Sequence, residues 1–267
     1  MLGPNTCERC AVRNRALCGA LTSEELRRIN SIAYRRRFQA GDVILGDSEA
    51  PEFFANIIAG VVKLSKMIPD GRQQIVGLQF PSDFIGRPFA ARNPFFAEAA
   101  SDVELCCYPK RRFEDMVREL PELEHRMFQH TLDELDAARQ WMVLLGRKSA
   151  EERIASFLML IASRTSRLSC TPTSLTTIEI ELPLTRAEIA DYLGLTIETV
   201  SRQFSKLKSR KLIQIGHGRL VVIPSVDDML AASGGDLDLI FEGAATRAGE
   251  PQRMGCTSHG ARQAAVG

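Results

Sequence analysis

The period of the apolar positions changes several times along the chain, and each change predicts a different element. Residues 22–35 open with "LTSEELRRI", in which Thr22 or Ser23 precedes acidic residues and then Arg27 and Arg28. That order is a capped helix start. From Phe38 to Pro109 the helical period disappears. The runs "FQAGDVILGD", "FFANIIAGVVKLSKM", "QQIVGLQFPSDFIG" and "DVELCCYP" are short, apolar or alternating, and punctuated by glycine. They predict short strands, with Asp70–Gly71 at a hairpin turn. Several such strands in succession predict a small antiparallel barrel or roll.

A helical period returns from Pro121 to Leu145. Phe128, Leu132, Leu135, Ala138, Met142 and Leu145 recur at steps of three and four and form one stripe. Such a stripe packs either on its own barrel or on the same helix of a second copy. A long helix between two domains has little of its own chain to cover it, which favours a homodimer. Gly146 is expected to break this helix before "SAEERIASFLMLIA", a second helix in which Ser149 and Glu152 are spaced as a capping box. Residues 164–178, rich in Ser and Thr, read as a loop.

The stretch "LTRAEIADYLGLTIETVSRQFSKLKSRKLIQIGHGRLVVI" is the most specific. Thr185 and Glu188 form a capping box, and Gly194 supplies the left-handed turn that ends the first helix. Thr196 caps a second helix that buries Val200, Phe204 and Leu207. Two helices joined by a short glycine turn make the DNA-reading unit of many regulators. "LIQIGHGRLVVI" then reads as a wing hairpin. Glu198, Thr199, Ser201, Arg202 and Lys206 are left on the outer face. Arg202 suits guanine O6 and N7, Glu198 suits cytosine N4, and Ser201 suits a base edge or a thymine methyl. Arg202, Lys206, Lys208, Arg210 and Lys211 form a basic run without an acid, a phosphate-binding field. The plainer alternative is a solvated helix with a Glu198–Arg202 salt bridge.

Composition adds little until the cysteines are counted. The chain has 267 residues, is 45% hydrophobic and 25% charged, and carries a net charge of +1. Global charge therefore names no partner, and the length suits about two domains. No apolar run is long enough to span a bilayer. "MLGPNTCERC" contains no apolar leader, so the expectation is a cytoplasmic protein, where structural disulfides are rare. Cys7, Cys10 and Cys18 within an N-terminal arm are then candidate ligands or reactive thiols. Three thiolates need a fourth ligand to close a four-ligand metal or cluster site. Cys170 lies in a polar loop and Cys256 in a Gly/Ala-rich tail. On "DVELCCYP", alternation puts Val103, Leu105 and Cys107 on one face and Asp102, Glu104 and Cys106 on the other. An arm folded over the barrel reaches only the outer face, which selects Cys106. Zinc competes as the metal, although closed zinc sites usually use two close ligand pairs and this chain offers one. Arg9, Arg13 and Arg15 either offset the charge of such a site or serve solubility.

The order of cysteine arm, glycine-punctuated roll, long helix, "AEERIASFLMLIA" and "LTRAEIADYLGLTIETVSRQFSKL" resembles the cyclic-AMP receptor protein superfamily. Within it, "LGLTIETVSR" and the C-x2-C-x7-C arm resemble the oxygen-responsive FNR-type regulators over about residues 7–225. In that branch the fourth cysteine lies three residues before a proline, here Pro109, which again gives Cys106. The resemblance implies a 4Fe–4S cluster on Cys7, Cys10, Cys18 and Cys106 that keeps the protein dimeric and DNA-bound without oxygen. It also implies readout of a TTGAT-N4-ATCAA-like palindrome by Glu198, Ser201 and Arg202, and contact with RNA polymerase. The chain departs from the cyclic-nucleotide branch in "GRPFAARNPFF". Arg87 replaces the expected glutamate and Arg92 is followed by Asn-Pro, so cyclic-nucleotide binding is not expected. Ala138 replaces an acidic residue common on the dimer helix, with Asp133, Glu134 and Asp136 nearby.

The expected fold is thus α+β. Residues 1–20 are a cluster-binding arm, 21–120 a cyclic-nucleotide-binding-like β-roll, 121–146 a dimerisation helix, 147–230 a winged helix-turn-helix and 231–267 a disordered tail. The expected function is a redox-sensing transcription regulator that binds double-stranded DNA. The alternative is the same fold with zinc or free thiols and a different signal. An enzyme is not expected: no Walker loop, GxSxG elbow or HExxH motif occurs, and His125, His130, His217 and His259 show no ligand spacing.

Overall fold

The computed structural model describes residues 6–165 and 177–235. The arm turns back on itself and ends in a 3-10 turn, Leu17–Ala20. Helix α1 (Ser23–Ile32) follows, and Thr22 rather than Ser23 is its cap, with both halves of the capping box to Glu25 formed. The helix stops three residues short of the expected 35. Ala33 is already extended, and Tyr34 begins β1 (Tyr34–Phe38). The run Arg35–Arg37 conceals this strand in the sequence, because its partner β8 (Val103–Pro109) lies about seventy residues away.

Between these come β2 (Val43–Leu45), β3 (Phe53–Ala59), β4 (Val62–Met67), β5 (Gln73–Gln79), β6 (Phe84–Ile85) and β7 (Phe96–Ala99). They form two four-stranded antiparallel sheets, β1-β8-β3-β6 and β2-β7-β4-β5. The Asp70–Gly71 turn joins β4 to β5, with Gly71 at φ 85°. Ile57, Val62, Ala97, Val103, Leu105 and Cys107 fill the interior between the sheets.

Two helices then cross the outside of the barrel. One is α2 (Lys110–Glu119), which the apolar pattern did not isolate, and the other is α3 (Pro121–Arg147). A separate core forms where the arm, α1, α2 and the start of α3 meet. It holds Val12, Leu17, Leu26, Ile29, Phe113, Val117 and Leu123 together with Cys7, Cys18, Cys106 and Tyr108. Burying a side chain such as Phe113 completely is worth about 1.5–3 kcal/mol.

Gly146 does not break α3. It remains helical, and the helix runs on to Arg147. The break falls at Lys148, where the backbone becomes extended, and Glu152 accepts from the Ser149 N–H at 2.7 Å to cap the next helix. A glycine with helical neighbours on both sides lowers helix stability but does not end it unless the next residues supply a competing cap.

The C-terminal unit contains α4 (Ala150–Thr165), β9 (Ile178–Glu181), α5 (Arg186–Leu193), α6 (Ile197–Ser209), β10 (Gln214–Ile215), β11 (Leu220–Ile223) and α7 (Val226–Ala232). The wing is a three-stranded sheet in the order β10-β11-β9, one strand more than the expected hairpin. Barrel residues Val61, Ile75, Leu78 and Phe80 share one core with Phe157, Ile189, Tyr192 and Leu193 of this unit. The tail expected from residue 231 starts later, because α7 runs to Ala232 and Ser233 is buried against the unit; its remainder beyond residue 235, with Cys256 and His259, lies outside the described residues, as does Cys170. Among the described residues, no helix is long and apolar enough to cross a membrane.

Candidate functional site

The arm and the outer face of β8 enclose one small cavity. Cys7, Cys10, Cys18 and Cys106 all line it, together with Val12, Arg35, Asn56, Ile58 and Tyr108. Strand alternation separates the adjacent cysteines: Cys107 is inside the barrel and Cys106 is under the arm. Turns with Arg13 N–H donating to Cys10 O at 3.1 Å and Ala16 N–H to Val12 O at 2.9 Å fold the arm. Asn30 of α1 accepts from the Cys7 N–H at 3.4 Å. Packing of Ala16 and Leu17 into the outer core then fixes the far end.

Burial, followed by the neighbouring thiols, pushes Cys7 up to about 11 and Cys18 up to about 12. Cys106 is also raised by burial, against the opposing effects of a Tyr108 hydrogen bond and the Arg35 charge. Near neutral pH these groups are therefore protonated thiols, and a metal must displace their protons to bind. The lining offers no carboxylate or imidazole, so four thiols are its main donors, beside the Asn56 amide and the Tyr108 phenol, and it suits thiolate-ligated metals. Among the described residues, no three His, Cys, Asp or Glu side chains gather tightly enough to hold a single metal ion. Of the three arm arginines, Arg13 bears on Cys7, as does Arg35 of β1. Arg9 and Arg15 are exposed.

Sequence reasoning missed Arg35, Asn56 and Tyr108. Alternation was enough to find Tyr108, two residues beyond Cys106 on the same face. The other two required strand pairing, because Arg35 and Asn56 are the register partners of Cys106 on β1 and β3.

On α3, Phe128 is 60% exposed, Leu132 and Leu135 44% and Met142 71%, and Ala138 is also exposed. Val143, outside the expected stripe, is exposed beside them. Leu145 instead packs half-buried against the core of its own chain. The opposite face carries Trp141, stacked on Tyr192 of α5 at 4.3 Å between ring centroids. The nearby acids are partly compensated: Gln79 donates to Glu134 at 3.2 Å, and Arg139 pairs with Asp136 at 2.9 Å.

The helix-turn-helix has both expected caps. The Thr185–Glu188 box is complete, Gly194 is left-handed at φ 61° and ψ 43°, and Thr196 accepts from the Thr199 N–H. Val200, Phe204 and Leu207 are buried, which leaves Glu198, Ser201, Arg202 and Lys206 exposed and Thr199 partly so. Arg202 donates to Thr199 Oγ1 at 3.4 Å. Lys206 and Arg210 both pair with Glu151 of α4, an acid the linear sequence does not bring near.

In the barrel, Arg87 lines a largely apolar cavity that also reaches Met127 and His130 of α3. Arg92 lies at the surface and donates to Ser48 O at 3.1 Å.

Comparison with known proteins matches this architecture in two parts. Residues 35–119 match the cyclic nucleotide-binding domain and residues 152–232 the Crp-like helix-turn-helix domain. A probable transcriptional activator of Rhizobium leguminosarum bv. viciae is 46% identical over 85% of this chain and 92% of its own. The chain belongs to the CRP/FNR superfamily of transcription regulators. The transcriptional activator protein FnrL of Cereibacter sphaeroides is 42% identical over 87% of this chain and 93% of its own. The solved structure of FixK2 from Bradyrhizobium japonicum superposes with a TM-score of 0.67 at 28% identity, covering 75% of this chain and 97% of that one. As a member of the superfamily the chain is a DNA-binding transcription regulator.

Proposed function

We propose that this CRP/FNR regulator senses oxygen through a 4Fe–4S cluster held by Cys7, Cys10, Cys18 and Cys106, and binds DNA as a homodimer when the cluster is intact. The observation that carries the reading is the single cavity shared by three arm thiols and one barrel thiol. The chemistry the cluster supplies is oxygen-sensitive ligation, as in the FNR-type regulators that the sequence resembles. The chain's own part is mechanical. Ligation ties the arm to β8, and Leu17 of the arm shares one buried core with Leu120 and Leu123 where α3 begins. Binding free energy at the thiols thus becomes folding free energy for the support of that helix. The exposed stripe of Phe128, Leu132, Leu135, Ala138 and Met142 meets its copy in the dimer. Two recognition helices then read a TTGAT-N4-ATCAA-like palindrome through Glu198, Ser201 and Arg202. Transcription activation through contact with RNA polymerase follows from the same resemblance. Cyclic nucleotide has no part in this reading, because Arg87 and Arg92 do not reproduce the phosphate cradle.

Anaerobic purification with iron, sulfide and zinc assays tests this directly. The expected protein contains iron and inorganic sulfide, shows broad visible absorbance that bleaches in air, and sediments as a dimer before but not after bleaching. Stoichiometric zinc without sulfide overturns the cluster reading.

A further inference from the structure

The strongest feature outside the ligands themselves is a polar pair buried beside them. Tyr108 and Asn56 are 1% and 2% exposed and line the thiol cavity. Asn56 is the direct register partner of Cys106 across β3 and β8. Tyr108 follows Cys106 by two residues, so both side chains leave β8 on the face that the arm covers. The tyrosine ring is fixed by stacking on Phe113, with centroids 5.2 Å apart. Its hydroxyl is therefore held in place and shielded from bulk water.

The hydrogen bonding has a direction. Asn56 Nδ2 donates to Tyr108 Oη at 3.0 Å. An amide nitrogen only donates, so the phenol oxygen is the acceptor of that bond and its proton remains free for another partner. Cys106 lines the same cavity from two residues earlier on the same strand face, which makes its sulfur the neighbouring group for that proton. A tyrosine at this position needs an acceptor, because an unpaired buried hydroxyl is costly. Asn56 Oδ1 is an unpaired acceptor in the same lining, but with the amide nitrogen turned to the phenol it is the ligand sulfur that this arrangement leaves for the proton.

We propose that Asn56 and Tyr108 form a relay that delivers one hydrogen bond to the Cys106 sulfur and so tunes the cluster. Tyr108 is the donor, and Asn56 is a positioning residue that orients it. The inference rests on the cluster reading above. Hydrogen bonds to ligating sulfurs are among the factors that set cluster potentials, and partners in the outer shell hold ligands in place. A donor at Cys106 withdraws charge from the sulfur, raises the reduction potential and slows loss of iron.

Tyr108→Phe keeps the ring and its stacking while removing the proton. In anaerobic holoprotein the expected result is a more negative midpoint potential by spectroelectrochemistry, with iron lost to a chelator about 10–100 times faster. Asn56→Leu, which leaves the hydroxyl in place but unoriented, should move both readouts in the same direction by less. It also keeps the test open if Tyr108→Phe fails to fold. Faster iron loss with an unmoved potential in Tyr108→Phe marks a purely structural role and overturns the relay. Unchanged potential and unchanged iron loss overturn it too, while wild-type iron and sulfide leave the cluster reading standing. Wild-type protein that contains no sulfide overturns both.

Discussion

Lys63 on β4 of the barrel is bonded to Glu188 on α5, the first helix of the helix-turn-helix. The same ammonium pairs with Glu98 of β7 at 2.7 Å, and the Lys63 side chain is only 8% exposed. Glu188 uses its other oxygen to complete the Thr185 capping box. One carboxylate thus caps the helix and ties it to the sensor, beside Gln74, which donates to Tyr192 O at 3.5 Å. Replacing Lys63 with Met should cost about 1–3 kcal/mol, because two partly buried carboxylates lose their common cation. Chemical denaturation of the single and double variants of Lys63 and Glu188 measures the coupling.

The contribution of this pair depends on pH. Burial opposes charge on Glu188, but hydrogen bonds from Lys63 and Thr185 outweigh it and hold the carboxyl below its ordinary 4.5. Burial also opposes charge on Lys63, and Glu188 and Glu98 outweigh it and raise the group above 10.5. A depressed carboxylate stabilises above its unfolded value and loses that effect as pH falls through the folded one; a raised lysine stabilises below its unfolded value and loses the effect as pH rises. The pair is therefore complete across neutral pH and fades below 4.5 and above 10.5. Asp191, raised by burial and then by Glu188, works in the opposite sense at the acid end. The stability gap between wild type and Lys63→Met should narrow in acid, and a gap that stays constant contradicts the assignment.

Cys106 and Cys107 should separate cleanly under substitution. Cys106→Ser is expected to abolish the visible chromophore of the anaerobic protein. Cys107→Ser should keep the chromophore but lower stability by about 1–3 kcal/mol, since it places a hydroxyl in the fully buried barrel interior. Iron content and thermal melts of both variants check this, and a chromophore in Cys106→Ser rejects the four-cysteine set.

Arg202 is exposed on α6. Arg202→Ala should weaken binding to a palindromic site by about 1–3 kcal/mol and relax preference at one base pair. Equal weakening on all sequences would assign Arg202 to phosphate.

Glu151 neutralises part of the basic surface by pairing with Lys206 and Arg210. Glu151→Ala should free both cations for phosphate and tighten non-specific DNA binding. The dependence of log affinity on log salt should steepen by about one unit for each recovered contact. Titration at several salt concentrations gives the slope, and an unchanged slope means the ion pairs already open on DNA.

Phe128 and Leu132 are exposed in the single chain, so Leu132→Glu should leave the monomer fold intact while preventing dimerisation. Sedimentation of the anaerobic protein with and without the substitution is the check, and a variant that remains dimeric moves the interface elsewhere.

Local chemistry was legible in the sequence. The Thr185–Glu188 box, the left-handed Gly194 and the apolar positions of α6 depend on neighbours within a few residues, so spacing alone determines them. Alternation on β8 similarly separates Cys106 from Cys107, because successive side chains of a strand must face opposite ways. What the sequence could not supply were relationships that close long loops. Arg35 and Asn56 reach Cys106 through strand register, Glu151 reaches Lys206 by helix packing, and Lys63 reaches Glu188 across two domains. The run of three arginines in β1 carries no strand signal of its own, and Gly146 stays helical because the competing cap lies farther along at Ser149. Periodicity records which face of an element is buried. Only the tertiary structure decides which distant residue that face meets, because that choice is made by the packing of whole elements rather than by any local preference.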